Sequence, residues 1–380
     1  MEKLKFVNGG YNSSGQRDKK IDLLKGMGII LMVFRHTEAP LSEFVLLFHM
    51  AIFFIASGYL FNQSKITDFR SLIGYTFRKI KSLWLPYFLF SSLFVLIHNL
   101  LLHLSFITDN PQYLVEHTGR YAVLSDYYTL GAIGKGIIKA AFFMGGEQLG
   151  GALWFFQALF FLTVGYAVIG FTLKGLLKSD KAVIWTQCGI AIGFLLLGYY
   201  LHIKGIFLYG LNRFFSFYCL IFIGQVLKLD QERVYKRIKP IAVFCAAFIL
   251  LLILRPLGYI DLSGNNIENP IYFLAVSLLG WFMMYSLAII LEKKAIFANE
   301  LITYISKRSV SIVGLHFLAF KLVNCLAVAV YDMPIYMRAG FPVLAHGWWW
   351  TLYMAVGIAI PLAIDWIYLR FKSVTVFYKK

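Results

Sequence analysis

The chain has 380 residues, of which 59% are hydrophobic and only 14% charged, and its formal net charge is +17. An ordinary soluble domain carries about 25% charged residues, so this composition excludes that class and describes a membrane protein. The basic excess would suit a nucleic acid partner, but its distribution excludes one and follows membrane topology instead.

Taken in chain order, residues 1–20 are polar and basic and carry no cleavable signal pattern. Apolar runs follow near 21–37, 41–61, 82–106, 152–173, 182–203, 206–227, 240–257, 270–291, 309–331 and 345–369. Each is long enough to cross about 30 Å of hydrocarbon. Counted from an N-terminus inside, 26 of the 36 Lys and Arg fall in inner segments, six in outer ones and four within spans. This is the positive-inside bias, and it puts both termini in the cytoplasm. The expected fold is therefore all-α, a polytopic membrane helix bundle of about ten transmembrane helices. Its expected parts are a cytoplasmic tail over 1–20, one membrane domain over 21–371 and a second tail over 372–380.

Two outer connections are long. Residues 107–151 hold Asp109, Glu116, His117, Asp126 and Glu147, with 132–144 apolar enough to lie along the interface or re-enter the membrane. Residues 258–269 hold Asp261, Asn265, Asn266 and Glu268. Loops on one face of a bundle usually select the substrate. Cys188, Cys219, Cys245 and Cys325 are unclustered within spans and read as packing residues, with no disulfide framework and no metal spacing.

Ionisable groups inside spans are the most informative feature, because each is costly there and is a functional-site hypothesis by default. Lys25 and His36 lie eleven positions apart in the first span, so they share a helical face about 16 Å apart along the axis. Lys25 reads either as an anion clamp for a phosphate-bearing cofactor or as a snorkelling side chain paired with Asp22. His36 reads as an acid or base near neutral pH, or as a locally bonded structural residue. His49, on the antiparallel neighbour, is expected at a similar depth, where it would relay a proton or bind a substrate hydroxyl. Ser57, Gly58 and Tyr59 close that span at the inner side, where small residues permit close helix approach. Arg78, Lys79 and Lys81 precede the third span; they anchor it by the positive-inside rule or hold the phosphates of an acyl-CoA. Trp154 and Gln157 open the fourth span. Arg213, His316 and Lys321 lie within later ones, each a candidate to line a shared polar cavity.

With these motifs the chain resembles the bacterial integral-membrane acyltransferase family 3, especially its sugar O-acetylase branch. The likeness rests on Ile21-Asp22-Leu23-Leu24-Lys25-Gly26 with the ten-residue gap to His36, and on Phe48-His49-Met50 running to Ser57-Gly58-Tyr59. Arg78 and Lys81 with Pro86-Tyr87 match a paired-basic motif in which Lys stands where a second Arg is commoner. Leu153-Trp154-Phe155 and the late stretch from Ser311 to His316 also fit.

The resemblance implies a multi-pass protein of the bacterial inner membrane, with no permanently bound cofactor. Its donor would be acetyl-CoA entering from the cytoplasm, and its acceptor a hydroxyl of a cell-surface or lipid-linked sugar. Lys25, Arg78 and Lys81 are expected to hold the donor's phosphates. His36 would deprotonate the acceptor or carry the acyl group transiently, and His49 would assist. Ser57, Tyr59, Trp154, Gln157 and His316 are the candidate substrate contacts. The alternative is an exporter of a glycan or small molecule, with Lys321 and Asp365 in an ion pathway.

Overall fold

The computed structural model describes residues 18–116, 122–294 and 296–377. Most of the expected N-terminal tail, His117 and the end of the expected C-terminal tail lie outside the described residues. The helices in order begin with α1 (Lys19–His36), α2 (Ser42–Leu46), α3 (Ala51–Leu60), α4 (Phe69–Lys79) and α5 (Leu85–Leu96). Short α6 (His98–His103), α7 (Gln112–Glu116) and α8 (Leu130–Ala141) follow. Long α9 (Trp154–Leu176), α10 (Asp180–Ile203), α11 (Leu211–Arg237), α12 (Pro240–Leu254) and α13 (Pro270–Lys294) come next. The last are α14 (Ile296–Lys307), α15 (Ser309–Val330) and α16 (Trp350–Phe377). Among the described residues the strands are β1 (Ile260–Asp261) and β2 (Asn266–Ile267), an antiparallel pair inside the 258–269 loop.

The chain is an all-α polytopic bundle. Eight helical stretches among the described residues are long and apolar enough to cross a membrane. The two further expected spans correspond to α1 and α11, which are 18 and 27 residues long. Both are too polar to join the eight, and they are the helices that carry Lys25, Arg35 and His36 or Asn212, Arg213 and Gln225.

The expected second span is broken: α2 and α3 are separated by a turn over 47–50. The third begins earlier than expected, at Phe69, and its helix stops at Leu96. A π-helical turn over Ile80–Trp84 joins α4 to α5. Pro86 explains it, because proline has no N–H to give and its ring clashes with the carbonyl four residues back, so the turn widens.

Of the described residues, one compact unit comprises 18–28, 44–84 and 154–306, and a second comprises 29–43, 85–153 and 307–377. In the first unit, glycines let helices meet backbone to backbone. A Cβ at Gly58 in α3 would overlap the Ile221 backbone of α11, and one at Gly224 in α11 would overlap the Ile55 carbonyl of α3. Trp281 is fully buried, with its indole N–H donating to Gln231 at 3.1 Å. Substituting Gly58→Leu forces α3 from α11 and should cost about 1–3 kcal/mol, the range of overpacked cores. Thermal unfolding in lipid nanodiscs checks this; an unchanged midpoint would refute the close approach.

In the second unit, the segment 335–345 is tied to α15 by buried polar side chains. The fully buried Lys321 ammonium donates to the Ala339 carbonyl at 2.8 Å and the Gly340 carbonyl at 2.9 Å. The Asn324 amide donates to the Arg338 and Gly340 carbonyls, and its oxygen accepts from Tyr353 at 2.7 Å. The long connection before α9 is pinned by His98, which stacks on Tyr128 at 3.6 Å between centroids and bonds Glu147 at 2.8 Å and the Asp126 carbonyl at 3.0 Å. Burial, and then the neighbouring Glu147, push the Tyr128 hydroxyl up to about 12. It therefore keeps its proton and donates to Glu147 Oε1 at 2.9 Å. The apolar 132–144 stretch forms α8, where Gly136 lies close to Val95 of α5.

Candidate active site: a histidine pair and a cation cluster

His36 ends α1 and His316 lies in mid-α15, both in the second unit. Their rings are nearly parallel, 10° apart, and His36 Nδ1 lies 2.9 Å from His316 Nε2. His316 Nδ1 lies 2.9 Å from the Ile312 carbonyl, one helical turn back.

With both rings neutral, one tautomer of each satisfies these two contacts. A carbonyl oxygen only accepts, so His316 carries its proton on Nδ1. A neutral His316 then offers a lone pair at Nε2, and His36 Nδ1 must be the donor. A neutral His36 protonated at Nδ1 has its own lone pair at Nε2, the nitrogen pointing away from His316. The arrangement orients a base, as a buried acceptor orients the imidazole of a hydrolytic triad. Both nitrogens of His316 are committed, which suits it to orient His36 more than to touch a substrate.

The pair is walled by aromatic rings. Phe317 packs 4.7 Å from His36 and 4.1 Å from His316, and Phe341 packs 4.6 Å from Phe317. Phe341 belongs to the segment held by Lys321, so the buried ammonium supports the wall behind the histidines. Arg35, one position earlier, pairs with Glu43 at 3.0 Å.

The first unit gathers cations. Lys25 is half-buried on α1, and Arg78 is exposed near the end of α4. The charges of both act on Lys79. Arg78 and Lys79 lie over the Tyr75 ring at 5.9 and 5.3 Å. Among the described residues no carboxylate pairs with Arg78 or Lys79. Lys81 is exposed in the π-helical turn. Clustered cations of this kind suit a polyanion, with arginine supplying a planar fork.

The remaining candidates are also in the first unit. His49 is buried, with Nδ1 3.0 Å from the Val45 carbonyl, so by the same reasoning its lone pair is at Nε2. The Ser57 hydroxyl donates to the Phe53 carbonyl at 2.8 Å, a bond within the helix. Tyr59 packs against Trp281 and Tyr285 at 5.7 and 6.2 Å. Trp154 and Gln157 converge on Arg213, which lies 5.2 Å over the indole and donates to Gln157 Oε1 at 3.2 Å. Arg213 also donates to the Ser263 carbonyl in the β1–β2 loop.

The structure thus brings His36 to His316, Lys25 and Arg78 to Lys79, and Trp154 to Gln157. Lys321 and Asp365 stand in separate networks: Lys321 holds backbone carbonyls, while Asp365 pairs with Arg308 at 2.9 Å and accepts from Ser311 at 2.9 Å. Sequence reasoning missed the link from His316 to His36 and the convergence on Arg213. The available signal in both cases was a polar residue in an apolar run.

A family model described as an acyltransferase domain matches residues 18–370. Neither a curated protein nor a solved structure matches the chain.

Proposed function

The chain belongs to this acyltransferase family and is a membrane acyltransferase, and from that premise we propose that it moves an acetyl group from acetyl-CoA to a hydroxyl of a cell-surface or lipid-linked sugar. The observation that carries this reading is the histidine pair, which holds the lone pair of His36 at Nε2.

His36 Nε2 takes the proton of the acceptor hydroxyl as its oxygen attacks the thioester carbon. The O–C bond forms, the C–S bond breaks, and the proton passes from Nε2 to the departing thiolate. His316 keeps the ring in the productive tautomer throughout.

Lys25, Arg78 and Lys81 hold the donor's phosphates at the basic ends of their helices. In the topology read from the Lys and Arg distribution those ends face the cytoplasm of a bacterial cell, across its inner membrane. One unbroken helix carries both Lys25 and His36, so a donor lying along α1 keeps its charges at the surface while its neutral acyl end goes deeper. This avoids desolvating the phosphates, at several kcal/mol per ion. Ser57 and Tyr59, and Trp154 and Gln157 held by Arg213, supply the aromatic faces and polar groups that suit a sugar ring.

The test of donor binding is kinetic. Lys25→Ala and Arg78→Ala should each raise the KM for acetyl-CoA about tenfold, as expected for losing one charged hydrogen-bonding partner, with kcat changed little. An unchanged KM in both variants would return these cations to simple membrane anchoring.

A further inference from the structure

The second unit holds a buried acid–base cluster that the transfer step does not use. His98 in α6 and Glu147 in the connection before α9 have side chains only 3% and 10% exposed. His98 Nε2 lies 3.0 Å from the Asp126 carbonyl, which only accepts, so Nε2 carries a proton. Nδ1 lies 2.8 Å from Glu147 Oε2, and a contact that short holds a proton between the two. The Tyr128 hydroxyl donates to the other carboxylate oxygen at 2.9 Å. Both nitrogens and both oxygens are thus committed. In so buried a place, removing one partner leaves the other uncompensated, so the cluster is a fastening.

What it fastens is the segment leading to the histidine pair. The Gly145 N–H donates to the Tyr87 hydroxyl at 2.8 Å, a second tie, to α5. A 3₁₀ turn over Gln148–Leu153 begins at the residue after Glu147 and packs on α5 and α15. Gly151 in that turn is exposed, yet a Cβ on it would meet Phe317 at 3.5 Å and Phe341 at 3.6 Å. Those two rings are buried, and Phe317 packs 4.7 Å from His36. The order from the surface inward is therefore the turn, the two rings and the base.

A base held in its productive tautomer deprotonates any hydroxyl that reaches it, so a preference for a sugar over water has to come from access. We propose that His98 and Glu147 are positioning residues that set this preference. They hold the Gln148–Leu153 turn against Phe317 and Phe341 and so keep bulk water from the thioester beside His36. The reaction they suppress is hydrolysis. In it His36 Nε2 takes a proton from water as the water oxygen attacks the thioester carbon. The O–C bond forms, the C–S bond breaks, and the proton passes to the departing thiolate, leaving acetic acid and coenzyme A. The inference rests on the acyl-CoA reading above and deepens it by naming what favours the sugar acceptor over water.

The experiment follows thiol release from acetyl-CoA by the full-length protein in lipid nanodiscs, with no acceptor present, in water enriched in oxygen-18. Glu147→Ala should release thiol about tenfold faster than the parent, the shift in a closed–open equilibrium expected from losing one charged hydrogen bond. Each acetate should carry one labelled oxygen, and the donor KM should not change. Glu147→Gln should restore the parental rate, because its amide N–H can donate to His98 Nδ1 and its oxygen can accept from Tyr128. Adding His36→Gln to Glu147→Ala should abolish the gain. A misfolded protein gains no such activity, and Tyr128→Phe, which removes one bond and keeps the ring, should give a smaller rise of the same kind. Parental thiol release in both Glu147→Ala and Tyr128→Phe would overturn the proposal, as would an equal rise in Glu147→Ala and Glu147→Gln. Parental glycan acetylation in cells, with unaltered hydrolysis in the variants, refutes the fastening alone. A parent protein that neither consumes acetyl-CoA nor acetylates glycans in cells refutes the proposed function and this inference with it.

Discussion

Cells whose single copy of this protein carries His36→Gln should acylate their surface glycans about 10²- to 10⁴-fold more slowly than the parent, the usual contribution of a positioned general base. The loss should fall on kcat, with the donor KM unchanged, because the cations that hold the donor are untouched. Glutamine keeps a donor for His316 Nε2 but has no basic nitrogen. The Ile312–His316 end of the relay therefore survives in the variant, and protein level should match the parent. His36 is half-buried beside His316 in the second unit, so the substitution empties no large core volume. Parental acylation at equal protein level would remove His36 from the mechanism.

The second large effect belongs to His316. In His316→Leu the acceptor facing His36 Nδ1 disappears, and His36 is released to place its proton on either nitrogen. The rate should fall about 10²- to 10⁴-fold, a scale that reaches the loss found when a catalytic imidazole is left in the wrong tautomer. The diagnostic variant is His316→Gln, whose side-chain oxygen can still accept from His36. It should recover at least about tenfold over the leucine variant, the worth of one good hydrogen bond. Donor KM should stay constant across the series. If leucine and glutamine are equally slow, His316 acts only by filling space, and the orienting role fails.

What the sequence made legible follows the range of the interactions. The pairing of Lys25 with His36 on one helical face depends on spacing within α1, and the helix runs unbroken through both. The close approach at Gly58 was likewise readable from a cluster of small residues, though its partner, the Ile221 backbone of α11, was not. His316 stands 280 positions from His36, and a single sequence says nothing about contacts at that separation. Its only mark was an imidazole in an apolar helix, a mark shared by several residues that the structure assigns elsewhere. Lys321 is the clearest of these: an ammonium in a span suggested ion movement, yet its charge serves to hold the carbonyls of 339 and 340. The break between α2 and α3 was hidden for another reason. Residues 47–50 are Leu, Phe, His and Met, so no proline or glycine announces it. The π turn before Pro86 was foreseeable, because proline there removes a backbone donor and crowds the preceding turn.

The central claim is about where a proton sits, and nitrogen-15 solid-state NMR of histidine-labelled protein in bilayers reads that directly. At neutral pH the account requires a protonated Nδ1 and an unprotonated Nε2 on His36, with that assignment lost in His316→Leu. A His36 ring protonated at Nε2 in the parent protein, or one whose tautomer is indifferent to His316, would contradict it.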